Sequence, residues 1–230
     1  MKVSRCLGLV GGLGVGATIH YYQELAKVHE ARGRTLNLVI AHAETSRVFE
    51  YVRAGDRNSL AEYLTSFIHR LESAGAEIAA IPAITPHFCL RELVALSPLP
   101  LVNIFEPLAQ ELAKRSIRRV AVFGTKYVID SALFGFLEGV EIVKPRPDEV
   151  DYIHETYIEL LQIGKGTSER HSKLTALANT LLRRDAVEAI VFAGTDLSLL
   201  FTDANTEFPY LDCAALHLRA ILKLLLNRTN

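Results

Sequence analysis

Two apolar patterns alternate along this chain. Short segments that are apolar almost throughout, at 3–10, 36–42, 77–82, 119–124 and 187–193, have the pattern of parallel strands buried on both faces. Between them, apolar residues recur at helical spacing: Ile19, Tyr22, Leu25 and Val28 within 17–32, and Leu60, Tyr63, Leu64, Phe67, Ile68 and Leu71 within 59–74. The spacing further predicts a helix near 87–96, a short strand at 101–104 after the Pro98/Pro100 turn, and helices at 106–115, 130–138, 148–163 and 168–183. A strand at 140–143 and a last helix from about 213 to 226 complete the pattern. Such alternation predicts an α/β fold of parallel sheets covered by helices.

The pattern also repeats. Residues 76–85 (AEIAAIPAIT) recur in register as 187–196 (VEAIVFAGTD), and 6–12 (CLGLVGG) recur as 119–125 (RVAVFGT) at nearly the same offset. Two similar half-chains are expected, a first α/β domain from 1–98 plus 209–230 and a second from 99–208, related by a pseudo-twofold and facing each other across a cleft. In open parallel sheets, ligands bind beyond the carboxyl ends of the strands. The segments 11–18, 83–87, 124–127 and 194–197 all stand at such ends and are the candidate site.

Composition narrows the class of ligand. Half of the 230 residues are hydrophobic, enough for a sizeable core, and the formal net charge is only -1. No long-range field then favours nucleic acid or an anionic membrane, so a small-molecule partner is expected. No run of about 18 apolar residues is present, and the N-terminal apolar run is broken at once by glycines, which predicts a cytoplasmic protein without a membrane span. The cysteines, Cys6, Cys89 and Cys213, are odd in number and lack metal spacing, so neither a disulfide framework nor a metal is expected. Cys89, shortly after Ala83, is expected on a helix pointing away from the strand ends.

The glycine cluster Gly8, Gly11, Gly12, Gly14 and Gly16 follows a strand and precedes a helix. It does not reproduce the G-x-G-x-x-G register of a dinucleotide site, and no acidic residue clearly ends the second strand, where His42 and Glu44 are nearest. A carboxylate held by backbone N–H groups at the helix start fits the segment better, and no cofactor is expected.

These segments carry a resemblance. GGLGVGAT at 11–18 resembles the GGMGPxAT opening of the aspartate/glutamate racemases; AITPH at 83–87 stands where that family has Cys-Asn-Thr-Ala-His; GTDL at 194–197 stands where it has Cys-Thr-Glu-Leu; and the ending, 211–217, is similar too. The resemblance implies the two-domain fold, a homodimer and cofactor-independent racemisation of an amino acid. It implies a substrate carboxylate held by Thr85 and Thr195, with Arg47 and Lys165 near cationic substrate-binding positions and Leu13, Gly14, Ile84 and Thr125 among the lining residues.

Both positions of the family's catalytic cysteines, however, are occupied by Ala83 and Gly194. Racemases of this kind lift the α-proton with one thiolate and return it from a second thiol on the opposite face. Alanine and glycine have no ionisable group. Three classes of reading stand open: an isomerase with recruited groups, a lyase, decarboxylase or hydrolase on the same scaffold, or a non-catalytic binder of a small carboxylate. His87 and Asp196 are the ionisable side chains nearest the missing thiols. Either is suited to acid–base work, His87 by its ordinary pKa, and each has an equally ordinary structural role, His87 as a loop-ordering helix-start residue and Asp196 as a cap.

Overall fold

A computed structural model of the chain describes residues 5–226. It divides into two compact units, one formed by the chain up to Asn103 together with the segment from His217 onward, the other by Ile104–Leu216. Each contains a parallel sheet covered by helices, as the alternation predicts.

The first unit comprises β1 (Leu7–Gly11), α1 (Val15–Ala31), β2 (Leu38–His42), α2 (Thr45–Ala54), α3 (Arg57–Ser73), β3 (Ile78–Ala80), a 3-10 turn (Thr85–Cys89) and α4 (Leu90–Leu96). Its strand order is β2-β1-β3, all parallel. The predicted strand at 101–104 supplies only a single parallel bridge, between Ala79 and Leu101. Positions 3 and 4 of the first predicted strand lie outside the described residues. Leu60, Leu64, Ile68 and Leu71 of α3 are fully buried against this sheet's side of the core, each removing about 1.5–3 kcal/mol of apolar surface cost.

The second unit comprises α5 (Phe105–Lys114), β4 (Arg119–Phe123), α6 (Lys126–Asp130), a 3-10 turn (Leu133–Gly135), β5 (Glu141–Val143), α7 (Pro147–Ile163), α8 (Ser168–Arg184), β6 (Ala189–Phe192), a 3-10 turn (Thr195–Leu199), β7 (Tyr210–Asp212) and the start of α9 (Cys213–Leu226). Its order is β5-β4-β6-β7, again all parallel. Stacked rings fill its centre, Phe192 lying 4.8 Å from Phe201 and 4.9 Å from Tyr210.

The internal repeat is a repeat of structure. Leu7 pairs with Ile78 in the first sheet, and their repeat partners Val120 and Ala189 pair in the second. Even a side-chain device recurs. Glu77 accepts from the Cys6 N–H at 3.1 Å, and its counterpart Glu188 accepts from the Arg118 and Arg119 N–H groups at 2.7 and 2.8 Å, so a carboxylate anchors the entrance of the neighbouring strand in both units.

Three local expectations are corrected. The predicted helix at 130–138 ends at Asp130, because Ala132, Leu133 and Phe134 take positive φ values of 49°, 54° and 58°, which an α-helix cannot contain. Helix α2 was not expected: only Val48 and Val52 of its ten residues are buried, too few to write a periodic stripe. Strand β7 was not expected either, being three residues long and ending in Asp212.

Candidate functional site

In the first unit the end of β1 runs into a loop tied to itself. Gly12 has φ 85°, and a Cβ there would meet the Ala43 carbonyl oxygen at 2.4 Å, so this position needs glycine on both counts. Thr18 in the first turn of α1 accepts from the Gly12 N–H at 3.1 Å and donates to the Gly14 carbonyl at 2.9 Å, while Thr45 donates to the Gly12 carbonyl at 2.7 Å. Leu13 and Gly14 are buried in this loop, immediately before the first turn of α1. The neighbouring strand β3 is followed by Ala83, Ile84 and Thr85, all buried. Arg47 is exposed on the first turn of α2, its guanidinium 6.0 Å from the Tyr63 ring.

His87 is 2% exposed and its Nδ1–H donates to the Ala83 carbonyl at 2.8 Å. Burial lowers its pKa to about 4 against the partial support of that bond, so the ring is neutral near pH 7. A second buried histidine, His217, donates from Nε2 to the Val102 carbonyl at 2.9 Å and accepts from the Tyr21 hydroxyl at Nδ1. Its pKa falls to about 3, first by burial and then by the proximity of His87. Cys89 is fully buried, donates to the Pro86 carbonyl and has its thiol pushed up to about 12, chiefly by burial, which removes it as a nucleophile.

In the second unit, Thr125 follows β4 and caps α6, accepting from the Val128 N–H at 3.4 Å. Thr195 and Asp196 follow β6 and are both completely buried. Lys165 is exposed on the link between α7 and α8, close to the turn that ends β6, since a Cβ on the adjacent Gly166 would meet the Leu200 side chain at 2.2 Å.

Gly194 is the unusual position. Its backbone is extended, φ −128° and ψ 111°, a conformation open to any residue. Yet a Cβ built there would lie 2.3 Å from Cε2 and 2.7 Å from Cδ2 of Tyr157. Glycine is present for space, and the space is taken by an aromatic ring. Tyr157 is 4% exposed and donates its phenol to Oδ2 of Asp196 at 3.3 Å. Burial raises its pKa well above 10, with the Asp196 charge adding to the effect, while the Thr195 hydroxyl and the Asp196 N–H act in the opposite direction as donors to the phenol oxygen.

The fold therefore brings Leu13, Gly14, Ile84, Thr85 and His87 to the adjacent ends of β1 and β3, and Thr125, Thr195 and Asp196 to the adjacent ends of β4 and β6. Arg47 and Lys165 stand exposed on flanking segments. Tyr157 escaped the sequence reasoning. It belongs to the buried stripe Val150, Ile153, Tyr157, Leu160 of α7, and a buried tyrosine needs a hydrogen-bond partner, but periodicity cannot name which strand end it meets. Among the described residues no cluster of three or more metal-ligating side chains occurs, and no helix is long and apolar enough to cross a membrane.

Known proteins agree with this architecture. The chain is 26% identical over 152 residues to the broad specificity amino-acid racemase RacX of Bacillus subtilis; the match covers 64% of this chain and spans 63% of that relative's length. Its fold matches that of a candidate Asp/Glu racemase from Yersinia pestis with a TM-score of 0.80 at 22% identity, covering 97% of this chain and 100% of the other. An aspartate racemase homologue from Pyrococcus horikoshii gives a TM-score of 0.78 at 24% identity, with 96% and 99% coverage. A family model described as Asp/Glu/hydantoin racemase matches residues 10–221. With that span and the shared two-sheet architecture, the chain belongs to the Asp/Glu/hydantoin racemase family.

Proposed function

We propose that this chain binds a small carboxylate of the amino-acid type at its strand ends and does not racemise it by two-thiol proton exchange. The observation that carries this reading is the occupied volume beside Gly194: where the resemblance calls for a second thiol there is a tyrosine ring, and where it calls for the first there is Ala83. The carboxylate-binding features persist. The start of α1 offers N–H groups to an anion, Thr85 adds a hydroxyl, and Arg47 and Lys165 bring positive charge from flanking segments. Family membership supports an amino acid as the ligand class.

His87 and Asp196 are the groups available for proton handling under the alternative, an active isomerase or lyase with recruited residues. The binding reading is the better supported, since the Nδ1 proton of His87 is committed to Ala83 and Asp196 takes the Tyr157 phenol. On the same reading the chain is cytoplasmic and forms a homodimer.

The test is a thermal-shift screen of D- and L-amino acids and dicarboxylates, combined with α-proton exchange in D2O followed by NMR. Binding by mass action raises the midpoint with ligand concentration. Exchange of aspartate or glutamate is expected at least about a hundredfold slower than in a two-cysteine relative. A flat screen defeats the binding reading, and rapid exchange defeats the catalytic half of it. If rapid turnover of another substrate is found, His87→Asn decides the role of the histidine: loss of turnover with affinity kept within about tenfold marks a chemical function.

A further inference from the structure

We propose that Tyr157 and Gly194 form a coupled pair in which the tyrosine ring takes the seat of a side chain at position 194 and its phenol sets the hydrogen-bonding character of Thr195 and Asp196, making Tyr157 the specificity-determining residue of the second unit's strand ends. Three independent observations carry this. The extended backbone of Gly194 imposes no requirement for glycine, whereas the ring at 2.3 Å imposes an absolute one. The ring cannot step aside cheaply, because Tyr157 is 4% exposed and sits on a helix stripe whose neighbours Ile153 and Leu160 are each 1% exposed. And the phenol oxygen, as donor, engages the Asp196 carboxylate while receiving from Thr195, so both polar side chains of this turn are oriented by one hydroxyl.

The chemical consequence concerns what a ligand meets. A threonine hydroxyl has one proton; directed at Tyr157, it presents lone pairs to the ligand. The resemblance assigns Thr195 the opposite task, donating to a carboxylate. In this chain the second unit's strand ends accordingly offer acceptors, suited to an ammonium or hydroxyl group of a ligand rather than to its carboxylate. This part deepens the carboxylate-binding reading and rests on it; the coupling of positions 157 and 194 does not.

The two parts are tested separately. Cys6, Cys89 and Cys213 are all buried, so the native protein is a silent background for a thiol reagent. Gly194→Cys alone is expected to lower the thermal midpoint by about 5 °C or more. Adding it to Tyr157→Ala is expected to cost nothing beyond Tyr157→Ala itself, and to yield one new thiol that reacts with methyl methanethiolsulfonate in the folded state; such non-additivity is the signature of two residues sharing one volume. If Gly194→Cys in the parent folds with an unchanged midpoint, or the two changes are simply additive, the coupling is refuted.

Tyr157→Phe keeps the ring and removes only the phenol. It is expected to change the ranking of ligands, strengthening dicarboxylates relative to amino acids by about tenfold or more as Thr195 regains its proton for an anion. An unchanged ranking overturns the specificity role while leaving the steric coupling to be judged on the thiol data. A screen in which neither parent nor variant binds any carboxylate overturns both the ligand class and the specificity role, and again the thiol data stand alone.

Discussion

Gly12 is a glycine both for its φ and for space, whereas Gly194 is one for space alone. At Gly12 the backbone lies at φ 85° and a Cβ would strike a carbonyl oxygen, which as backbone cannot yield. Gly12→Ala is expected to lose about 2–4 kcal/mol in urea unfolding, combining a strained φ with overpacking. At Gly166 the colliding atom is the end of the Leu200 side chain, so Gly166→Ala is expected to cost clearly less than Gly12→Ala. Equal losses at both would show that the backbone conformation at Gly12 carries no strain. The residue scale is also where the sequence was least legible. Thr85, His87, Thr195 and Asp196 could be placed at strand ends by pattern, because a parallel strand delivers its next residues to its own carboxyl end. Tyr157 could not, since its meeting with Gly194 is a contact between elements 37 positions apart, and the only trace in the sequence is an absence, the missing Cβ of Gly194.

Elements follow the sequence where burial is repeated and depart where it is brief. The runs that became β1, β4 and β6 are buried along nearly their whole length, and the repeat aligned them with their partners residue by residue. Helix α2, with two buried residues, and β7, with three residues in all, give too few positions to establish a period. The end of α2 was nevertheless marked, by Gly55 in the left-handed conformation that closes many helices. Two predictions belong to this scale. Thr167 caps α8 by accepting from the Arg170 N–H at 3.3 Å, and Thr167→Ala is expected to cost about 1 kcal/mol in equilibrium unfolding. Glu188→Ala strips two strand-entrance N–H groups of their acceptor, where Glu77→Ala strips one. The larger loss is expected at Glu188, and hydrogen exchange at Arg118 and Arg119 should accelerate; unchanged protection there would show that the carboxylate is dispensable.

At the scale of the molecule, two buried neutral histidines make the fold sensitive to acid. His87 and His217 have folded pKa values of about 4 and about 3, below the ordinary 6.5. Above pH 6.5 neither state binds the proton and no stability is lost. As the pH falls below 6.5 the unfolded chain takes up protons that the folded chain refuses, so each histidine withdraws up to about 1.4 kcal/mol per pH unit until its folded pKa is reached. The urea midpoint is therefore expected to fall from pH 7 to pH 5, and the slope to be roughly halved in His217→Gln. A midpoint flat over that range contradicts the buried neutral pair. Solvent-facing apolar residues bear on assembly. Val15, Ile19 and Tyr22 follow one face of α1 and are each at least half exposed, and Ile40 on the edge strand β2 is 43% exposed, whereas Phe136 is stacked on Phe105 at 4.8 Å. Light scattering at micromolar concentration is expected to give the mass of two chains, and Ile19→Glu to return that of one.

The hydrogen bond from His217 to Val102 joins the last stretch of chain before the second unit to the first residue after it. It follows that the two units are finished in the reverse of the order in which they are begun. Residues up to 103 are synthesised first, but their unit still lacks the buried Leu218, Ile221 and Leu225 of α9, while residues 104–216 form an unbroken segment that can close on its own. At ribosomal speeds the earlier segment waits on the order of ten seconds for its missing helix. Throughout that interval its apolar sheet is a natural client for a chaperone, and the C-terminal residues act as the latch that releases it.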